Sequence, residues 1–241
     1  MLGIIGGSGF YKLGKTIDKI PVITPYGHVI VNRTKVHKEE ILFIPRHGES
    51  HNIPPHKVNY RANLYALKKA GATVLFATYA AGIVADYKID DLILIEDFIG
   101  FNAPITFFDD FSSGIKHTDF SQPFDSEWQN AVLEAAAAEK IKIKKGGIIA
   151  TTHGPRFETK AEVQILKKVG ANLVNMTSAY EITLAKELEL PLAAIAIATN
   201  YAAGITKKKQ SAEEVFSVIN KVKPKINSLL QEIIMNVETN V

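Results

Sequence analysis

The chain has 241 residues, 22% charged and 46% apolar, with a net charge of +3 and no cysteine. That size and balance fit one folded domain with a sizeable core, and exclude a disordered or fibrous chain. The missing cysteines exclude disulfides, thiolate metal sites and a cysteine nucleophile.

Short apolar runs bounded by turn residues recur at 2–7, 28–32, 40–45, 73–78, 92–97, 146–151, 171–176 and 192–199. Most are apolar throughout rather than alternating, which predicts strands covered on both faces. Helical patterns lie between many of them. The stretch 56–71 ends in a stop glycine, 125–140 opens with Asp125 as a cap, and 158–170 again ends Lys-Lys-x-Gly. The stretch 179–190 stops before Pro191, and 211–237 reads as a long terminal helix kinked near Pro224. The first 45 residues read as a β-meander. The expectation is α/β: a single-domain three-layer fold over 1–241, with a mixed central sheet flanked by helices.

Residues 98–124 are long, aromatic and poorly periodic. A loop of that kind is expected to be functional or to lie on an interface. No apolar run reaches the length of a membrane span, and no signal-peptide pattern opens the chain. The longest basic run is Lys207–Lys209, short of a nucleic-acid footprint. A cytoplasmic protein with neither membrane nor nucleic-acid partners is expected.

The N-terminus poses the functional question. Gly9–Thr16, "GFYKLGKT", fits the G-x-x-x-x-G-K-[ST] pattern of P-loop nucleotide hydrolases. That pattern needs a helix starting at its Gly-Lys-Thr, so that helical N–H groups face the phosphates. Here Lys15 and Thr16 lead to Pro21 and Pro25, around the strand-favouring Val22-Ile23-Thr24. The dinucleotide pattern also fails, because Lys12 stands where its third glycine belongs. What remains is a strand followed by Gly6-Gly7-Ser8-Gly9. It reads either as an anion nest with the Ser8 hydroxyl as a further donor, or as a tight turn needing positive φ. Arg46-His47-Gly48 follows the run ending at Pro45, and Met176-Thr177-Ser178 follows another. Arginine forks phosphate well, histidine can add a donor, and ligands gather at strand ends of α/β sheets.

The blocks "GIIGGSG", "PRHGESHNIPPHKVNYRANLYALKKAGA", "GPRFETKAEVQILKKVGANLVNMTS" and "IAIATNYAAGI" resemble the trimeric purine nucleoside phosphorylases and 5′-methylthioadenosine phosphorylases. They occur in family order over roughly residues 3–205. The resemblance implies phosphorolysis of a purine nucleoside to free base and ribose 1-phosphate. Inorganic phosphate would be the co-substrate, with no metal and no organic cofactor. It implies a homotrimer or a dimer of trimers.

Carried over by position, the phosphate site would hold Ser8, Arg46, His47, Ala80 and Thr177. The nucleoside would meet Ala81 and Gly82 of the "AAG" turn, Met176 at the ribose and Phe157 at the base. Catalysis would rest on His47, Glu158 and Asn200. Glu158 matches a carboxylate that accepts N1–H of a 6-oxopurine. Asn200 matches an amide serving N7 and O6, where methylthioadenosine enzymes place an aspartate. On these residues the substrate would be a 6-oxopurine nucleoside such as inosine or guanosine. Read without the family, Glu158 is a first-turn helix acid and Asn200 a turn residue.

At the 5′ end of the sugar, Ala212 stands where many oxopurine enzymes carry histidine, leaving room for a methylthio group. His117 matches a residue that methylthio enzymes reach across the trimer interface. 5′-Methylthioadenosine or 5′-methylthioinosine phosphorolysis is therefore the alternative. Two departures stand out. Tyr79 replaces a short polar residue beside the phosphate, and Tyr180 takes a proline position. His47, His51 and His56 are close in sequence, but Pro54-Pro55 keeps them off one helix face. His51, Asn59 and Tyr60 are expected to orient the loop and the next helix, and His153 to be structural.

Overall fold

The computed structural model describes residues 1–101, 103–112 and 114–240, with side chains described to residue 236. The chain opens with β1 (Leu2–Gly6), β2 (Lys15–Thr24), β3 (Gly27–Val36) and β4 (Glu39–Pro45). It continues with α1 (Tyr60–Lys69), β5 (Val74–Ile83), β6 (Leu92–Ile99), α2 (Ser126–Ala138) and β7 (Ile143–Thr151). The remainder is α3 (Lys160–Lys168), β8 (Leu173–Asn175), α4 (Ser178–Glu187), β9 (Leu192–Tyr201) and α5 (Ala212–Asn240).

These strands form one mixed sheet in the order β2-β3-β4-β1-β5-β8-β7-β6-β9. A second pairing, β5 with β9, closes the latter half into a ring. The closure follows from sequence: β5 and β9 are buried on both faces almost end to end, so each needs neighbours on both edges. Only β2, β3 and β4 form the expected meander. The first strand departs from it: β1 is wholly buried and runs parallel between β4 and β5. The mostly exposed β2 takes the sheet edge instead.

Helices cover both sides. Leu64 and Leu67 of α1 and Ile182 and Leu184 of α4 pack against one face. Trp128 and Val132 of α2 and Ile219, Val222, Ile226 and Leu229 of α5 pack against the other. Each such side chain contributes roughly 1.5–3 kcal/mol by leaving water. α5 runs on through Pro224, with buried residues on both sides of it. Asp125 caps α2 by accepting from Trp128 N–H, as expected. Asn59 caps α1 and donates to the Tyr26 carbonyl, while the Tyr60 hydroxyl donates to Pro55, so both tie the preceding loop down.

Lys15 and Thr16 begin a strand, not a helix, which removes the P-loop reading. Of the loop 98–124, positions 102 and 113 lie outside the described residues. Phe107 packs with Tyr26 and Tyr65, while Phe101, Phe111 and Ile115 are exposed.

Candidate active site

The parallel strands β1, β4, β5 and β9 end on one side of the sheet, and a cavity of about 270 Å³ opens there. That is slightly below the usual range for small-molecule sites, roughly 300–1,000 Å³. At the end of β1, glycine is required by space. A Cβ on Gly7 would lie 2.4 Å from the Thr78 carbonyl oxygen and 2.8 Å from Arg46 Nη1. Gly9 takes φ +84°, and a Cβ there would meet Ile219 at 2.3 Å. The tight-turn reading therefore holds at Gly7 and Gly9, and the Gly7 N–H is already engaged, donating to the Thr78 hydroxyl at 3.1 Å. Ser8 lines the cavity.

Arg46 leaves β4 directly into the cavity wall and is 2% exposed. Its Nε and Nη2 donate to the two oxygens of Glu181 at 2.5 and 2.6 Å, and Nη1 donates to the Thr78 carbonyl at 3.1 Å. Although burial opposes its charge, the Glu181 carboxylate holds the guanidinium's pKa above its ordinary value.

His47 Nδ1 donates to the Ile53 carbonyl at 2.9 Å, since a carbonyl can only accept. Burial, then the neighbouring Arg46 charge, lowers its pKa to about 4. At neutral pH Nε2 is thus a bare acceptor. With Nδ1 engaged, Nε2 is the ring nitrogen left free, and on the neutral ring it accepts.

The "AAG" segment is not a turn but the end of β5. Strand alternation sends Tyr79 and Ala81 into the core beneath α1 and α4, while Ala80 and Gly82 line the cavity. Ala81 is therefore removed from the ligand wall, and its carbonyl accepts from the Thr199 hydroxyl at 3.2 Å. Opposite it, the β5–β9 register slips between Ala81 and Gly82, which pair with Ala198 and Asn200. Thr199 is the extra residue of this bulge, a device that re-aims side chains beside sites. Both Thr199 and Asn200 line the cavity. Asn200 Nδ2 donates to the Tyr201 carbonyl at 3.2 Å, leaving one N–H for a ligand rather than two.

Glu158 precedes the N-cap of α3, so it is not a first-turn acid; Thr159 caps and Glu162 completes the capping box. Glu158 is 7% exposed and its Oε1 accepts from the Thr152 hydroxyl at 2.6 Å. Burial raises its pKa, partly offset by that bond. Phe157, Met176 and Thr177 line the same cavity. Thr177 stands at the N-cap of α4 without making a side-chain cap bond.

The start of α5 forms the last wall, with Ala212, Val215 and Phe216 on one face. His51 joins it, ringed by Tyr11, His47 and Phe216 at centroid distances of 5.2, 5.1 and 5.4 Å. His117 is absent from this wall; it is exposed and packs edge-on to Phe111. His153 lies 6.4 Å from His56, centroid to centroid. Among the described residues no group of three His, Asp or Glu side chains is disposed to hold a metal.

Sequence reasoning missed Thr199, Asn175, Val215 and Phe216 as cavity residues. The last two were findable, since they follow Ala212 by three and four positions on a helix. Thr199 was not, because its place depends on a strand register. Tyr180, at the proline position, stacks on Tyr60 at 4.7 Å.

The phosphorylase superfamily model matches residues 1–235. A protein of Moorella thermoacetica named as a probable 6-oxopurine nucleoside phosphorylase is 40% identical, over 97% of this chain and 92% of its own length. One of Methanopyrus kandleri, named as a probable S-methyl-5′-thioinosine phosphorylase, is 38% identical over 97% and 91%. The solved methylthioadenosine phosphorylase from Schistosoma mansoni in complex with adenine superposes with a TM-score of 0.91. It is 29% identical and covers 100% of this chain and 92% of that one.

Proposed function

This chain belongs to the phosphorylase superfamily, and from that premise we propose that it cleaves 6-oxopurine nucleosides with inorganic phosphate. The observation that carries the reading is the joint placement of Glu158 and Asn200, both buried, in one cavity with Arg46, His47 and Thr177. Glu158 supplies an acceptor for purine N1–H, and Asn200 an N–H for O6 or N7. An adenine ring has an acceptor at N1 and would face a carboxylate unfavourably. Unpaired buried polar groups of this kind discriminate between substrates by orders of magnitude.

In the proposed reaction a phosphate oxygen attacks C1′ as the C1′–N9 bond breaks. The bonding electrons pass to the purine, which leaves as an anion and takes up the proton that monohydrogen phosphate gives up, directly or through water, and the sugar leaves as ribose 1-phosphate. Positive charge develops on the ribose and negative charge on the base. Phosphate held by Ser8, Arg46, Ala80 and Thr177 would stabilise the first, and the Asn200 N–H the second. Holding phosphate against C1′ removes further barrier by proximity. No step calls for a metal or organic cofactor; phosphate is a co-substrate.

One observation favours a second reading of the sugar's 5′ group. Ala212, Val215 and Phe216 make that wall apolar, which suits a methylthio group, as in 5′-methylthioinosine. Phe157 and Met176 would pack on base and ribose. His117 would act only from a neighbouring subunit, which fits its position on an exposed aromatic loop and a homotrimer or dimer of trimers. Among the described residues no helix is long and apolar enough to cross a membrane, and a cytoplasmic enzyme of small substrates is the consistent proposal.

The test is base release from inosine, guanosine, adenosine, methylthioadenosine and methylthioinosine, each with and without phosphate. Phosphate-dependent release confined to 6-oxopurines is expected. Preference for methylthioadenosine would overturn the roles given to Glu158 and Asn200.

A further inference from the structure

Neither Tyr79 nor Glu181 lines the cavity, yet both end on Arg46. The Glu181 carboxylate is 1% exposed in its side chain, and takes Arg46 Nε on one oxygen and Nη2 on the other. The Tyr79 hydroxyl donates to that second oxygen at 2.9 Å. The Tyr79 ring also lies under the guanidinium, with Arg46 Cζ 4.7 Å from its centroid. Arg46 is thus fixed in plane by a two-point fork and out of plane by a ring.

We propose that Tyr79 and Glu181 are the positioning pair of the phosphate site, holding Arg46 in one orientation so that its unused N–H groups meet the phosphate. This rests on the assignment of Arg46 to phosphate given above. A guanidinium has five N–H donors. Bonds to Glu181 and the Thr78 carbonyl occupy three. One N–H on each Nη remains, and Arg46 lines the cavity.

Because Glu181 neutralises Arg46 at short range, phosphate cannot be held there by net charge alone. Its affinity must come from directed hydrogen bonds, which depend on angle and therefore on a fixed guanidinium. The Tyr79 hydroxyl contributes by anchoring the Glu181 oxygen that also accepts from Arg46 Nη2. Removing it leaves Arg46 and Glu181 paired but free to rock together. A tyrosine at position 79 thus serves the phosphate site without touching phosphate. Strand alternation in β5 makes that geometry obligatory, since it turns Tyr79 away from the cavity.

The test is steady-state kinetics of inosine phosphorolysis with wild type, Tyr79→Phe and Tyr79→Leu. Tyr79→Phe keeps the ring and removes one hydrogen bond. Its KM for phosphate is expected to rise about three- to tenfold, the scale of one such bond, with KM for inosine unchanged. Tyr79→Leu, which also removes the ring, is expected to raise it further. Tyr79→Phe with wild-type KM for phosphate, or with both KM values raised equally, overturns the proposal.

A second readout needs no turnover: the rise in Tm on adding phosphate. It is expected to be smaller in Tyr79→Phe than in wild type, and an equal rise also overturns the proposal. If wild type releases no base from any nucleoside, the functional reading fails, while the melting comparison still decides the role of Tyr79.

Discussion

The Thr152 hydroxyl lies between two acceptors, 2.6 Å from Glu158 Oε1 and 3.2 Å from the Asn175 carbonyl oxygen. It has one proton to donate. While Glu158 is ionised, that proton serves the carboxylate. Once Glu158 is protonated, Thr152 can accept from it and donate to Asn175 instead. Thr152 is therefore a partner to Glu158 in both states, and it stabilises the ionised one.

The first prediction concerns pH. Ionised Glu158 is the stronger acceptor for N1–H of a 6-oxopurine, since a charged acceptor makes roughly twice the bond of a neutral one. Its pKa is raised by burial and lowered again by Thr152. In Thr152→Val the lowering is lost, so the acid limb of kcat/KM for inosine moves to higher pH. Phosphate titrates identically with both enzymes, so the difference between the two profiles isolates Glu158. Superimposable profiles would show that Glu158 does not take part.

Base choice gives the second prediction. Asn200→Asp turns a donor into an acceptor and shifts the ratio of kcat/KM values toward adenosine over inosine. Glu158→Ala lowers kcat/KM for inosine by about ten- to a hundredfold, the scale of a hydrogen bond to a charged group. KM for phosphate stays near the wild-type value. Equal losses on both bases in Asn200→Asp would contradict the oxopurine assignment.

His47 gives the third. Its pKa falls from the ordinary 6.5 to about 4 on folding. Between those values the unfolded chain binds more protons than the folded one, so stability is lost as pH falls through the window. The loss reaches about 3 kcal/mol at most. Urea unfolding of wild type and His47→Gln across this window checks it: the wild-type slope should be the steeper. Parallel slopes would mean that His47 is not held neutral.

The fourth concerns the buried ion pair. Glu181→Ala leaves Arg46 charged and uncompensated in the core, which costs about 3–5 kcal/mol. Arg46→Met with Glu181→Met removes both charges and should recover most of that loss in urea unfolding. A Glu181→Ala protein as stable as wild type would mean that water reaches Arg46.

Much of the fold was legible because local pattern decides it. The apolar runs marked the strands, Asp125 and the Lys-Lys-x-Gly endings marked helix limits, and Pro21 with Val22-Ile23-Thr24 excluded a helix after Lys15. Clusters at strand ends pointed to Ser8, Arg46, His47, Met176 and Thr177, and the family resemblance added Phe157, Glu158 and Asn200; all of them line one cavity. What sequence alone determined, then, was which segments form strands and helices and which chemical groups reach the strand ends. Periodicity and side-chain chemistry are properties of neighbouring residues.

The tertiary structure alone decided the rest. The β5–β9 bulge turns Thr199 and Asn200 to the cavity, strand alternation sends Ala81 and Tyr79 away from it, and Glu181 arrives 135 positions from Arg46. The bond from His47 to Ile53 decided which ring nitrogen is free. Each of these depends on pairing register or on a contact between distant segments. Such contacts are chosen when the whole core closes, and nothing in the neighbouring residues encodes them.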